Sequence, residues 1–242
     1  MSFSFASMSK FSATIAIAAA IGLPATFAAA GTPPAVEFQF SVNGEDPLTF
    51  NPDGTNVGGM IYNYQGQQLG GDWSLDYDIN AEADPFISGN IVVTNFGFAT
   101  QTFSLTIILP VTPITPSTLI GGSVAGGITA DGSGGTLSSI TPNSSIWSAL
   151  IDGNTVASLL TGGSATAGAF QSASIGPASF GAPIPSMVGP AINNTMAINI
   201  SFALTAGDSA SFTSVFVAQV PAPAGLAIFG LVGFAGRRRR RA

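Results

Sequence analysis

The chain contains no cysteine and no histidine, and between Phe11 and Gly236 it contains no basic side chain. Lys10 is the one lysine, and Arg237 to Arg241 are the only arginines. Each absence removes a class of chemistry. Without cysteine or histidine there is no thiol nucleophile, no Cys–His dyad, no Ser–His–Asp triad and none of the usual zinc donor sets. A lysine-based variant fails as well, because Lys10 lies in the leader. Nucleic-acid binding depends on lysine and arginine releasing counterions from phosphates, and a body with neither excludes it. The missing cysteines suit an exported chain that avoids disulfides and a cytosolic chain equally. All 12 carboxylates lie in the interval that lacks bases, so whatever folds there is purely acidic.

What is present at the two ends concerns address rather than fold. Met1 to Ala30 reads as a secretory signal: Lys10 supplies the positive n-region, Phe11 to Leu23 the apolar h-region, and Pro24 breaks the helix. Ala28-Ala29-Ala30 offers a small-x-small cleavage site, with Ala28 and Ala30 at the small positions and Thr26-Phe27-Ala28 as a second choice. The rival reading, an apolar helix that begins the fold, lacks cap residues and amphipathic spacing.

At the other end Val220, Pro221, Ala222 and Pro223 precede an apolar stretch from Ala224 to Gly236 and the cluster Arg237, Arg238, Arg239, Arg240, Arg241. As a helix that stretch covers only about 20 Å at ~1.5 Å per residue, short of the ~30 Å hydrocarbon core. Snorkelling arginines, bilayer thinning or inclusion of Val220 to Pro223 close the gap, and the arginines belong on the cytoplasmic side. Taken singly, five arginines also suit an anionic-lipid or nucleic-acid patch, and a Gly/Ala-rich apolar run suits a buried helix. The order of proline motif, short apolar helix and basic terminus, behind a signal peptide, favours a transient inner-membrane anchor.

The last 23 residues, Val220 to Ala242, resemble the PEP-CTERM sorting tail of Gram-negative bacteria, with Ala222 where that family's Pro-Glu-Pro motif has glutamate. The resemblance implies processing by signal peptidase and then by an exosortase, which cuts near the motif and passes the body to the cell surface or extracellular matrix. Two body segments, Asp84-Pro85-Phe86-Ile87-Ser88-Gly89-Asn90 and Gly207-Asp208-Ser209-Ala210-Ser211-Phe212, are also similar to otherwise uncharacterised bearers of this tail and bring no activity with them.

Residues 31–219 form the body, a size that suits one all-β domain. Apolar side chains alternate with polar ones at Val36, Phe38, Phe40 and Val42; at Trp73, Leu75, Tyr77 and Ile79; at Phe103, Leu105, Ile107 and Leu109; and from Met196 to Leu204. A period of two marks half-buried antiparallel strands. Phe212 to Val217 is a further β-prone run, and the Ala206-Gly207-Asp208 turn predicts a hairpin pairing Met196–Leu204 with Ser211–Val217. Between Pro110 and Pro190 the signal weakens to short strands joined by long loops, with Ile146, Trp147, Leu150, Ile151 and Val156 to Leu160 as core candidates around an Asp152-Gly153-Asn154 turn. Ser174 to Pro190 is expected to be an exposed loop.

The dense polar cluster is Asp72, Asp76, Asp78, Glu82 and Asp84. Oxygen ligands at that density in an exported chain suggest calcium, held by Asp78, Glu82 and Asp84 around the turn before Pro85. It is no EF-hand, because Ala81 stands in the glycine's place and Ile87 in the bidentate glutamate's. The bland alternative makes Asp76 and Asp78 the solvent face of a strand that buries Trp73 to Ile79. Carboxylate-only catalysis would mean glycoside hydrolysis, with Tyr62 and Tyr64 as sugar platforms; Trp73 and Tyr77 sit on the core face.

The expected fold is an all-β antiparallel β-sandwich, jelly-roll-like or Ig-like, flanked by an N-terminal signal helix (residues 1–30) and a short C-terminal transmembrane helix within 220–242. The expected role is a structural or adhesive one at the cell surface or in the extracellular matrix, beside exopolysaccharide in a biofilm, with no enzymatic activity and no cofactor except calcium. The rival is a secreted carbohydrate-binding or carbohydrate-active module built on Asp72 to Asp84.

Overall fold

The computed structural model describes residues 32–115 and 117–220. Both expected terminal helices, the cleavage site at Ala28 and Ala30, the motif residues Pro221, Ala222 and Pro223 and the cluster Arg237 to Arg241 lie outside the described residues. Among the described residues every regular element is a strand, and no helix is long and apolar enough to cross a membrane.

The first six strands are β1 (Glu37–Val42), β2 (Leu48–Phe50), β3 (Thr55–Gly58), β4 (Ile61–Leu69), β5 (Trp73–Glu82) and β6 (Phe86–Asn95). There follow β7 (Gln101–Pro110), β8 (Thr118–Thr129), β9 (Gly135–Ser138), β10 (Ser145–Ile151), β11 (Asn154–Thr161) and β12 (Ser164–Ala167). The last are β13 (Ser172–Phe180), β14 (Met187–Gly189), β15 (Thr195–Leu204) and β16 (Ser209–Gln219). They form two antiparallel sheets. One runs β11-β10-β15-β7-β1-β2, with β9 beside β15 and β12 beside β9; the other runs β13-β8-β16-β6-β5-β4-β3, with β14 beside β8.

The alternation seen in the sequence is the alternation between core and solvent. Phe38 and Phe40 of β1 point inward, as do Leu75, Tyr77 and Ile79 of β5 and Phe103, Leu105, Ile107 and Leu109 of β7. Rings from opposite sheets meet across the middle. Phe38 lies 4.8 Å from Tyr77, Phe40 4.8 Å from Trp73 and Phe202 5.0 Å from Phe212, centroid to centroid, and Trp147 stands edge-on to Phe216 at 6.4 Å. Each such side chain stabilises the sandwich by roughly 1.5–3 kcal/mol through burial, before any ring–ring term.

Three sequence-based expectations are corrected. The pairing of Met196–Leu204 with Ser211–Val217 as a hairpin is replaced by a step between sheets. β15 has β7 on one side and β10 and β9 on the other; β16 has β6 and β8, so neither has a free edge for the other. Both strands bury one face in the same core, and a period of two is silent on whether two such strands pair or face each other.

The exposed loop expected over Ser174 to Pro190 is largely strand. β13 pairs with β8 through a bulge between Ile175 and Ala178 that accommodates Pro177, and β14 adds three more paired residues. Both sit at the sheet edge, where a residue lacking an N–H is tolerated.

Nor is the region from Pro110 to Pro190 made only of short strands. β8 is twelve residues long and paired on both sides, by β16 and by β13 and β14, and it hides behind glycine. A Cβ on Gly126 would lie 2.5 Å from the Phe212 ring, and one on Gly122 would lie 2.7 Å from Phe180 and 3.1 Å from Trp147. The glycines that weaken the strand signal are the floor on which the core aromatics rest. The Asp152-Gly153 turn is as expected: φ is +48° and +76° at its two residues, and it closes the β10–β11 hairpin with Ile151 opposite Asn154.

The strand directions give the molecule two unlike ends. Glu37 opposes Ile108, and Gln219 opposes Leu119, so the chain enters and leaves beside the segment that joins β7 to β8. The opposite end, a strand length of roughly 30 Å away, gathers residues 96–100, 130–134, 168–171 and 205–208.

Candidate functional site

On β5 the inward turn of Leu75, Tyr77 and Ile79 sends Asp76, Asp78 and Asn80 to the outer face of the sheet. Register sets their neighbours. Asp76 lies between Gln67 and Val92, Asp78 between Gln65 and Asn90, and Asn80 between Asn63 and Ser88. With no cation present, amides and hydroxyls supply the donors. Gln67 Nε2 donates to Asp76 Oδ1 at 2.8 Å, Asn63 Nδ2 to Asp78 Oδ1 at 2.5 Å, and the Thr213 hydroxyl to Asn90 Oδ1 at 2.6 Å. A shallow cavity of about 400 Å³ opens over this face, lined by Gln65, Gly66, Asp76, Tyr77, Asp78, Asn90 and Val92. Its chemistry is that of hydrogen bonding to neutral polar groups or of attraction to cations.

The acidic cluster, contiguous in sequence, is dispersed in space. Asp78 and Glu82 share the outer face of β5 four residues apart, roughly 13 Å at strand rise. Glu82 and Asp84 line a different cavity with Ile61, Phe86 and Val217, at the end of the sheet. Asp72 lies in the turn before β5, where Gln101 Nε2 donates to its carboxylate and Phe96 N to its carbonyl oxygen. The structure therefore does not bring Asp78, Glu82 and Asp84 to one point, and among the described residues no three carboxylates gather as a metal site.

Tyr62 and Tyr64, considered as sugar platforms, are core residues at 4% and 0% exposure. Tyr64 donates its hydroxyl to the Pro34 carbonyl oxygen at 2.6 Å, and burial, helped by Tyr62, pushes its pKa up to about 12. Burial also raises Tyr77, against a hydrogen bond with Gln68 that lowers it. Their alternation, at positions 62 and 64 on the face shared with Ile79 and Tyr77, is the signal that marks them as buried. The ring that lines the cavity on the acidic face, Tyr77, packs against Gly66 and is 7% exposed, so it offers a sugar an edge rather than an open face. Among the described residues the exposed rings are Phe96, Phe98 and Phe170, all in loops at the end opposite the start of β1 and the finish of β16. In sequence they fall outside every alternating run, the one sign that they do not serve the core.

The chain matches no protein-family model and no curated protein. The two body segments singled out in the sequence turn out to be neighbours: the first opens β6, the second opens β16, and the strands pair from Ser209 opposite Thr94 to Val217 opposite Phe86. Asn90 closes the first segment and accepts from Thr213, just past the second. Gly207 and Asp208 form the step from β15 to β16. Asp208 is fully buried there; its Oδ1 accepts the Asp131 N–H at 2.9 Å, and Oδ2 accepts the Thr205 hydroxyl. These segments build the middle of one sheet and its corner.

Asp152, in the β10–β11 turn at the end where the chain enters and leaves, is another carboxylate that composition did not single out. Its Oδ1 accepts the N–H groups of Asn194 and Thr195, at 2.8 and 3.0 Å, and its Oδ2 the N–H and side-chain amide of Asn193, at 2.8 and 3.0 Å. Burial acts to raise its pKa, but the three backbone donors and the amide outweigh it and hold the carboxyl below the ordinary range.

Proposed function

We propose that this chain is an exported structural or adhesive protein of the cell surface or extracellular matrix, addressed by its signal peptide and its PEP-CTERM-like tail, with signal peptidase and exosortase as processing partners and no catalytic activity of its own. The observation that carries the reading is positional: β1 starts at Glu37 and β16 finishes at Gln219 at the same end of the sandwich, the end toward which the chain runs on to both address segments. Held by that end in an inner-membrane precursor, the body presents its opposite loops outward. A surface with no lysine, arginine or histidine, rich in Ser, Thr, Asn and Gly, suits hydrated, uncharged matrix polymers such as exopolysaccharide.

The strand order supports the jelly-roll-like form of sandwich over the Ig-like one. β6, β7, β8 and β9 alternate between sheets, and the last two strands enter the middle of each, giving β13-β8-β16-β6 on one side and β11-β10-β15-β7 on the other.

The second reading, a carbohydrate-binding module on the acidic face, is supported by the amide and carboxylate carpet over β4, β5 and β6. Ending the chain at Gln219 tests the first reading. Surface display and adhesion of cells to polysaccharide-coated supports are both expected to be lost; unchanged display would overturn it.

A further inference from the structure

Exposed aromatic rings are costly on an isolated protein, and they usually mark a contact. Among the described residues the exposed rings, Phe96, Phe98 and Phe170, occupy one end of the sandwich, and Phe98 is fully exposed. Phe96 and Phe98 rim a cavity of about 680 Å³ whose other walls include Thr100, Asp131, Ser133 and Thr205. Phe170 joins the same group: its N–H donates to the Asp131 carbonyl oxygen at 2.7 Å, and its ring covers Gly132, where a Cβ would lie 2.9 Å away.

The floor of the cavity is tied together by hydrogen bonds. Buried Asp208 holds the Asp131 N–H at 2.9 Å, and Asp131 Oδ1 in turn accepts the Ser133 N–H at 2.7 Å. Among the described residues Asp131 Oδ2 has no hydrogen-bond donor, which leaves an acceptor at the cavity wall. Hydroxyls of Thr100 and Ser133 both donate and accept, while that of Thr205 is engaged by Asp208 and by the Thr136 N–H. No cation stands anywhere in the body, so phosphate, sulfate or uronate groups would meet carboxylates without compensation. Flat apolar rings, neutral hydroxyls and a single acceptor match a ligand with an apolar ring face and several hydroxyl edges.

We propose that this loop end is a binding site for a neutral glycan, with Phe98 stacking on a sugar ring and Asp131 accepting from its hydroxyls. The site lies in the loops at the end of the sandwich, distinct from the outer face of β5 that carries Asp76 and Asp78, and it deepens the adhesive reading, on which it rests for the setting in which such a ligand is met.

The test titrates the full-length chain, kept in mild detergent, with cellohexaose, isomaltohexaose and mannohexaose, with hexagalacturonate as an anionic control, by calorimetry. Binding to at least one neutral hexasaccharide and none to hexagalacturonate is expected. Phe98→Ala should weaken binding at least tenfold with an unchanged melting temperature, Phe98→Trp should retain it, Asp131→Asn should weaken it, and Asp76→Asn with Asp78→Asn should leave it intact. The proposal is overturned if no neutral hexasaccharide binds, if Phe98→Ala binds as well as the parent, or if the Asp76 and Asp78 changes abolish binding. It is also overturned if Phe98 proves necessary only for binding phosphatidylcholine vesicles. The adhesive reading fails separately, when cells lacking the protein adhere normally although the purified chain binds glycan.

Discussion

Asp208 accepts the backbone N–H of Asp131 at 2.9 Å from a fully buried position inside the corner that carries β15 into β16. The same carboxylate takes the Thr205 hydroxyl, and it leaves no room for a side chain on Gly135, whose Cβ would overlap it. One acidic residue thus ties together the loops after β8 and β15, the two that floor the cavity at the loop end. Asp208→Ala should cost about 2–3 kcal/mol, because it strands a buried donor and opens a void. Gly135→Ala should cost roughly 1–3 kcal/mol by overpacking. Urea unfolding measures both, and a loss under about 0.5 kcal/mol for Asp208→Ala, the range of an ordinary surface change, would show that the corner stands without it.

Acid should unfasten the β10–β11 turn. The Asp152 pKa is depressed in the folded state, so its contribution is fully present above the ordinary carboxylate pKa and is lost as pH falls through the lower folded value. Asp152→Asn should therefore destabilise the protein by about 1–2 kcal/mol at neutral pH, given charge-assisted bonds to three backbone N–H groups. The difference from the parent should shrink as the pH drops below about 4, the usual carboxylate range. Equal destabilisation at pH 7 and pH 2.5 would contradict the assignment.

Alkali acts on Tyr64 in the opposite sense. Its folded pKa of about 12 lies above the value of an unfolded tyrosine, so the stability it confers is intact below pH ~10 and is lost as pH rises toward 12. Ultraviolet titration should show the Tyr64 phenol ionising late, alongside the raised Tyr77, and Tyr64→Phe should remove one late phenol from the curve. A tyrosine spectrum that titrates wholly near 10 would place Tyr64 in water.

Gly126 and Phe212 should behave as a coupled pair. Gly126→Ala puts a methyl against the Phe212 ring and should cost about 1–3 kcal/mol. In the Phe212→Leu background the penalty should fall, the remainder being the Ser211 carbonyl oxygen 2.8 Å from the added Cβ, and a double-mutant cycle reads the coupling. Additive effects would mean that the ring does not rest on that glycine.

How far the fold could be read from sequence depended on which residues carry the pattern. Phe38, Phe40, Leu75, Tyr77, Leu105 and Ile107 alternate with polar residues and announce their strands, because a half-buried antiparallel strand must alternate. β8 does not, because Gly121, Gly122, Gly126 and Gly127 stand where neighbouring rings and backbone need the space, and the pattern lies in Phe212, Phe180 and Trp147 instead. The step at Asp208 was read as a hairpin because turn residues report that a chain reverses but not whether it returns to the same sheet. Of the site, Asp76 and Asp78 were legible as an outer strand face. Asp131 and Phe98 were not, because each belongs to a loop of its own and only the fold brings the loops after β6, β8 and β15 together.

Export and release form the central claim, and the most direct measurement is the intact mass of the protein recovered from its host, fractionated into membrane, surface and medium. The account predicts a species that begins near Ala29 or Gly31 and ends between Pro221 and Ala224, found outside the membrane fraction. A chain that keeps Arg237 to Arg241 and stays in the membrane would contradict it.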